Sequence, residues 1–515
     1  MPASADAPDA EEREIAAFLA DPATYGRGVS KVDVIETHIA RVFLAGDEVY
    51  KIKKRVKLPF LDFSTLESRR NAVAREVEVN RPHAPGIYLG AVAIARRNGR
   101  LAFGGDGAVI DWAVHMRRFP EAAVLVNRAS QGPLPDTLAK ALAGMVAGYH
   151  QGSPIAAACN GEEAIAPVVK QLQHAFGADT KAGSAALLFA GRLGPAFARA
   201  APLLIARGRA GCIRRCHGDL HLGNIVLIDG APVPFDALEF SETLATVDVL
   251  YDLAFLLMDL DFRGDRHAAN IVLSDYVGAA PAGGEIEGLA ALPLFLACRA
   301  GVRAVVAMAR GRQLAEGRQE QLKAHRYLEL AAAYLDPPAP LLVAVGGLSG
   351  TGKSTLAAKL AARLGAAPGA LHMRSDVERK RLFGVPETQR LEAQHYRPGV
   401  AQRVYSILEE KAHRVLAAGH SVIVDAVFAK PEERAAIEAV ASQAGARFVG
   451  LWLTAPAETL TARVEQRRGD ASDANARVVK EQLDYDLGEI AWSAVDAAGS
   501  PAQTVARAEA VLAKV

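Results

Sequence analysis

The sequence predicts two folded bodies in series. One is an α+β body over residues 1–336, itself bilobal; the other is an α/β body over 341–515 built on a parallel five-stranded sheet. Three observations carry this prediction. A complete phosphate-binding loop, Gly347-Leu348-Ser349-Gly350-Thr351-Gly352-Lys353-Ser354, begins well past the middle of the chain. Just before it, Asp336-Pro337-Pro338-Ala339-Pro340 ends the helical run Gln321–Leu335, and its prolines favour an extended linker over 337–340. Beyond the loop, apolar runs alternate with helical patterns, the signature of a parallel sheet covered on both faces.

The elements of the second body follow in order. The apolar run Leu341–Val345 leads into the loop, and the helical run Thr355–Leu364 follows it. Glycines allow backbone N–H groups to turn inward around a polyphosphate, and the helix N-terminus adds partial positive charge. Gly347, Ser349, Gly350, Thr351, Gly352, Lys353, Ser354 and Thr355 are the expected nucleotide contacts, with Lys353 reaching the β/γ-phosphates and Ser354 ligating Mg²⁺. Further strands are expected at Ala370–Met373, Ser421–Val424, Phe448–Leu453 and Ala491–Val495, and helices at Arg403–Ala418, Pro431–Ala444 and Ala457–Arg467. Ligands of such sheets sit at the C-terminal strand ends. Two acids stand there: Asp425, placed to hold Mg²⁺, and Asp376, placed to accept a proton from an attacking hydroxyl. The plainer reading is that each caps the helix after it. Arg463 and Arg467, spaced i, i+4 ahead of a Gly-containing polar loop, and Arg468 beside them, suit a lid that brings guanidinium groups over phosphate; a solvated charged face is the alternative.

Composition narrows the function classes. The net charge of +1 gives no general attraction to nucleic acid or to an anionic membrane. Met1–Glu14 carries Asp6, Asp9, Glu11 and Glu12 and no apolar run, so no secretory leader is expected. The apolar stretch Leu289–Cys298 is cut by Arg299, short of a bilayer span. Four cysteines make no disulfide framework, and Cys212 and Cys216 lack the partners of a zinc site. The expected compartment is the cytoplasm.

The first body carries its own cluster, Cys216-His217-Gly218-Asp219-Leu220-His221-Leu222-Gly223-Asn224, ahead of the apolar run Ile225–Ile228. An Asp and an Asn at this spacing match a loop in which the Asp accepts a hydroxyl proton and the Asn binds Mg²⁺. Asp236, after Pro234-Phe235, stands where a second metal-binding acid is expected. Upstream, Ile39–Leu44 and Glu48–Lys53 read as a hairpin. Strand alternation puts Lys51 and Lys53 on one face.

These residues carry two resemblances. Residues 341–515 resemble the small P-loop kinases that include polynucleotide kinase, zeta-type toxins and gluconate kinase. That resemblance implies an acid after the second strand and another after the third, with an arginine lid beyond. In Asp376-x-x-Arg379 the acid is then the base, and Arg379 handles phosphate. The first body resembles the aminoglycoside phosphotransferase and choline kinase-like family, which has a protein kinase-like fold. Here the resemblance implies a strand lysine on the α/β-phosphates (Lys51 favoured, Lys53 the alternative), a helix carboxylate from Leu66–Asn80 (Glu76 over Glu78) and an interlobe segment at Trp112–Phe119. Asp248 and Asp252 would brace the catalytic loop. No Gly-x-Gly-x-x-Gly loop is present; Thr37-His38-Ile39 stands in its place.

The activity expected is transfer of the ATP γ-phosphate, with Mg²⁺, to hydroxyls of small metabolites at two sites. The alternatives are a 5′-hydroxyl polynucleotide kinase with a substrate-holding first body, disfavoured by the charge balance, and an ATP-sensing switch with one inactive site. Residues 151–216 carry Lys170, Lys181, Arg192, Arg199, Arg207, Arg209, Arg214 and Arg215 against Glu162, Glu163 and Asp179. Such a basic surround predicts a neutral or anionic acceptor rather than a polycation.

Overall fold

The computed structural model describes residues 9–58, 61–157, 159–177, 183–280, 282–312, 317–467 and 469–514. Asp6, Asp179, Lys181 and Arg468, named above, lie outside them. The chain forms two compact units, Met1–Leu134 with Gly152–Ala158 and Ile213–Asp252, and Pro135–Gln151 with Cys159–Cys212 and Leu253–Val515.

The first unit is built on a six-stranded antiparallel sheet, in the order Val32–Glu36, Ala40–Ala45, Glu48–Lys53, Ala108–Arg117, Tyr88–Arg97, Arg100–Phe103. Alternation along Glu48–Lys53 splits its residues. Tyr50 and Ile52 enter a core with Ile15, Leu19 and Phe43, whereas Val49 packs with Val73 and Tyr88 on the opposite face. Lys51 and Lys53 share the face of Val49, toward helix Leu66–Asn80. That helix starts where Thr65 accepts from Ser68 N, with Glu67 in the first turn, and it ends one residue before the Arg81-Pro82 pair. It buries Arg69, Ala72, Val73, Glu76 and Asn80, one helical stripe in which three members are polar. Each has a partner: Arg69 Nε donates to Asp111 at 2.8 Å, Glu76 meets the two lysines, and Asn80 Oδ1 accepts from Ala237 N at 2.8 Å.

The interlobe expectation is corrected here. Trp112 to Arg117 belong to the long strand Ala108–Arg117, because both Glu48–Lys53 and Tyr88–Arg97 pair with it.

The second unit contains long helices, among them Asp136–Gly152, Gly183–Arg209 and Arg266–Ala279, and a five-stranded parallel sheet. Its strand order is Leu371–Arg374, Val422–Asp425, Leu341–Gly347, Arg447–Thr454, Ser493–Asp496. The central strand Leu341–Gly347 is buried at every residue, as a sheet covered on both faces demands. Register sets Asp425 beside Val345 on one side and Arg374 on the other, so the strand ends converge at the phosphate-binding loop. The stretch Glu285–Gly311 is long and apolar enough to cross a membrane by length and composition, and 67 % of its apolar window is buried in the structure. It runs through Arg299, whose guanidinium stacks on Phe255 at 4.8 Å.

The Arg69–Asp111 pair is about 98 % buried on both sides. Removing one partner strands a buried charge, so Asp111→Ala should cost about 3–5 kcal/mol, read by urea unfolding.

Candidate active sites

In the second unit the loop's conformation follows from its glycines. Gly350 has φ +88°, and a Cβ there would stand 2.5 Å from Leu460 O, so both backbone and space require glycine. Thr351 Oγ1 donates to Leu348 O at 2.7 Å and fastens the turn. Lys353 Nζ donates to the same carbonyl at 3.1 Å. Burial pushes Lys353 down to about 8, against the pull of the nearby Asp425 and Asp376 carboxylates. Helix Lys353–Ala361 begins immediately, leaving Thr355 exposed on its first turn.

Ser354 and Asp425 meet directly: Ser354 Oγ donates to Asp425 Oδ1 at 2.9 Å. The other carboxylate oxygen accepts from His372 Nε2 at 2.6 Å, and Arg374 Nε lies 3.9 Å from it. Burial alone would raise the carboxyl, but the hydrogen bond and charge of His372, the charge of Arg374 and the Ser354 hydrogen bond together outweigh it and hold Asp425 below the ordinary range. A hydroxyl and an ionised carboxylate side by side form a hard oxygen donor set, which fits Mg²⁺.

Asp376 lies in the first turn of helix Ser375–Leu382. Burial pushes its carboxyl up, opposed by a hydrogen bond from Ser472 and by the charge of Arg374. Arg379, one turn on, is buried; its Nη1 donates to His395 O at 3.1 Å and its guanidinium lies 4.8 Å from the Tyr396 ring centroid.

The arginine lid differs from expectation. Arg463 donates from Nη1 to Ala497 O at 2.9 Å and from Nη2 to Gly499 O at 3.0 Å. These carbonyls occupy its guanidinium, so Arg463 clamps the turn after strand Ser493–Asp496 instead of covering phosphate. Helix Ala457–Gln466 stops one residue before Arg467, whose extended backbone breaks the i, i+4 relation. The charge of Arg467 still acts on Lys353 and helps to depress it.

In the first unit, Lys51 Nζ donates to Glu76 Oε1 at 2.9 Å and to Asp236 Oδ1 at 2.6 Å. Lys53 Nζ donates to Glu76 Oε2 at 2.6 Å and also to Glu239. Glu78 points outward to Arg75. Burial would raise Glu76, but the two lysines prevail and hold it down to about 2. The lysines differ in setting: Lys53 is sealed between two carboxylates, whereas Lys51 bridges to the half-exposed Asp236.

The catalytic-type loop is pinned from below. Asp252 accepts from His217 N at 3.2 Å and from Gly218 N at 2.8 Å. Gly218 has φ +84°, and a Cβ would stand 3.0 Å from Leu238 Cβ, so glycine is required between His217 and Asp219. His217 Nε2 donates to Phe235 O at 3.0 Å, and burial keeps the ring neutral by lowering its pKa despite nearby acids. Asn224 Nδ2 donates to Asp219 Oδ2 at 3.0 Å, and Asp236, at φ +60°, is placed by Tyr88 Oη accepting from its N–H at 3.0 Å. Asp248 accepts from Leu250 N at 2.8 Å at the start of the following helix.

The basic surround of residues 151–216 is weaker than its composition. Arg207 donates to Gly284 O at 2.7 Å, and Arg215 donates to Cys216 O and Leu238 O. Both guanidinium groups hold backbone, so charge reversal there reads folding and not acceptor binding.

His372, Arg374 and Glu239 went unread in the sequence. His372 and Arg374 are two residues apart on one strand and so share a face, a periodicity that marks them. Gln482, whose Oε1 accepts from Ser349 N at 2.7 Å, carries no such signal.

Similarity to known proteins falls on two successive stretches of the chain. A family model described as a phosphotransferase enzyme family matches residues 100–289, and one described as an AAA domain matches 342–486. Uncharacterized proteins of Mycobacterium tuberculosis and Mycobacterium bovis are each 31 % identical over 509 residues, covering 93 % of this chain and 94 % of theirs. Among solved structures, a gluconokinase from Sinorhizobium meliloti is 24 % identical over 34 % of this chain and 93 % of that one, with TM-score 0.25. A choline/ethanolamine kinase family protein from Mesorhizobium loti is 14 % identical over 63 % and 98 %, with TM-score 0.38. The chain is an ATP-dependent phosphotransferase in which an aminoglycoside phosphotransferase-like domain precedes a P-loop kinase domain. It belongs to the same family as the mycobacterial proteins.

Only the ammonium form of Lys353 attracts phosphate. ADP affinity at the P-loop should therefore fall as pH rises through about 8, and binding above that pH should take up close to ~1 proton. Calorimetry in two buffers of different ionisation enthalpy measures the uptake, and Lys353→Met should abolish it.

Proposed function

We propose that the chain is a bifunctional kinase, with residues 1–336 and 341–515 each transferring the γ-phosphate of ATP to a hydroxyl of a small metabolite in the cytoplasm. The observation that carries this reading is the pair of separately assembled carboxylate sets: Asp219 bonded to Asn224, with Asp236 following the Phe235 that donates to Asn224 O, in one, and Asp376 beside Asp425 and Ser354 in the other. At each site one carboxylate takes the proton of the acceptor hydroxyl as the new O–P bond forms and the β–γ bridge breaks to leave ADP. Mg²⁺, held by Asn224 and Asp236 or by Ser354 and Asp425, would supply neutralising charge to the phosphates.

Lys51 serves the phosphates of the first site, since it alone of the two lysines meets the half-exposed Asp236. Lys53 keeps Glu76 in place from behind. In the second site Lys353 serves the phosphates, Asp376 is the base, and Arg379 and Arg467 assist with the transferring phosphate. The raised Asp376 carboxyl supports its role, because a carboxylate held at its ordinary value is a poorer base.

An ADP-release screen across sugars, amino sugars, nucleosides and oligonucleotides tests the reading. Asp219→Asn and Asp376→Asn should each lower transfer at their own site by about 10²–10⁴ while sparing ATP binding. Loss of ATP affinity with unchanged turnover would contradict both assignments.

A further inference from the structure

Helix Arg266–Ala279 precedes the proline-rich linker, yet one of its faces is spent on the P-loop sheet. Asn270, Ser274 and Gly278 are spaced i, i+4, i+8 and so lie in one row. Buried Asn270 donates from Nδ2 to Ala370 O at 2.9 Å. Ser274 Oγ accepts from His372 N at 3.2 Å. At Gly278 the guanidinium of Arg381 fills the space of a side chain, and a Cβ would stand 2.1 Å from Nη2.

The row meets the elements that carry the second site. Strand Leu371–Arg374 is the sheet's edge and pairs inward with Val422–Asp425, so its outward N–H at His372 would lack a protein partner without Ser274. The same residue's side chain holds Asp425 at 2.6 Å. Arg381 lies on the helix whose first turn bears Asp376, and it is tied there to Glu378 at 2.9 Å. Backbone and side chain of His372 thus join the helix to the buried carboxylate beside Ser354.

We propose that helix Arg266–Ala279 is a positioning element of the P-loop kinase, with Ser274 and Gly278 as positioning residues that act through His372 and Arg381 on Asp425 and Asp376. The P-loop domain then works only while docked on this helix of the preceding domain. The inference rests on the reading of Ser354 and Asp425 as the metal-binding pair.

The test uses the full chain and follows the Lys353-dependent part of ADP binding, with EDTA and with Mg²⁺. Ser274→Ala should reduce the gain in affinity that Mg²⁺ confers by about 3- to 10-fold, the scale of one lost hydrogen bond. Affinity in EDTA should stay unchanged, because it depends on Lys353 and the loop amides. Ser274→Thr, which keeps the acceptor, should restore the gain. Gly278→Val should act in the same direction and more strongly; if it does not fold, the Ser274 pair decides. A wild-type Mg²⁺ gain in Ser274→Ala, or an equal loss with and without Mg²⁺, would overturn the proposal. Absence of Lys353-dependent ADP binding in the wild type would overturn the P-loop reading itself, and this inference with it.

Discussion

A carboxylate that is to hold a metal must stay ionised, and burial works against that. Asp425 is buried at the end of its strand, beneath a phosphate-binding loop, and its ionised form depends on His372, with Arg374 and Ser354 adding to it against burial. Much of the second unit is arranged around this carboxylate. The parallel register brings His372, Arg374 and Asp425 to adjacent strand ends, and the loop serine closes on the free oxygen. The edge strand carrying His372 is in turn held from outside by helix Arg266–Ala279.

The first unit meets the same difficulty with different chemistry. Glu76 is fully buried and kept ionised by two lysines from one strand, one of them sealed against Glu239. Such a cluster contributes little net stability, since desolvation offsets most of the attraction. Its value lies in fixing where Lys51 points. Lys51 is thereby held between two carboxylates, Glu76 and Asp236. Asp236, at positive φ with its N–H donating to Tyr88, also accepts from Lys51 and so joins the lysine to the segment after the His-Gly-Asp loop.

Much of this was legible in the sequence because it rests on short-range patterns. The phosphate-binding loop, the His-Gly-Asp segment and the strand–helix alternation each lie within a few residues, and both the five-stranded parallel sheet and the two kinase-type domains are found. What escaped depends on contacts distant in sequence. Arg463 reads as a lid arginine until the turn at Ala497 and Gly499 takes its guanidinium. Arg207 and Arg215 read as part of a basic acceptor surround until backbone carbonyls claim them. Trp112–Phe119 reads as a connector because alternation does not say that two neighbours pair with it. The row Asn270, Ser274, Gly278 has helical spacing, but nothing local says what it faces.

Two nucleotide sites on one chain have a direct signature in the stoichiometry of Mg²⁺-ADP binding. Calorimetry on the wild type should give two sites per chain, with one lost in Lys353→Ala and the other in Asp236→Ala. A single site in the wild type, or loss of both sites from either substitution, would contradict the account.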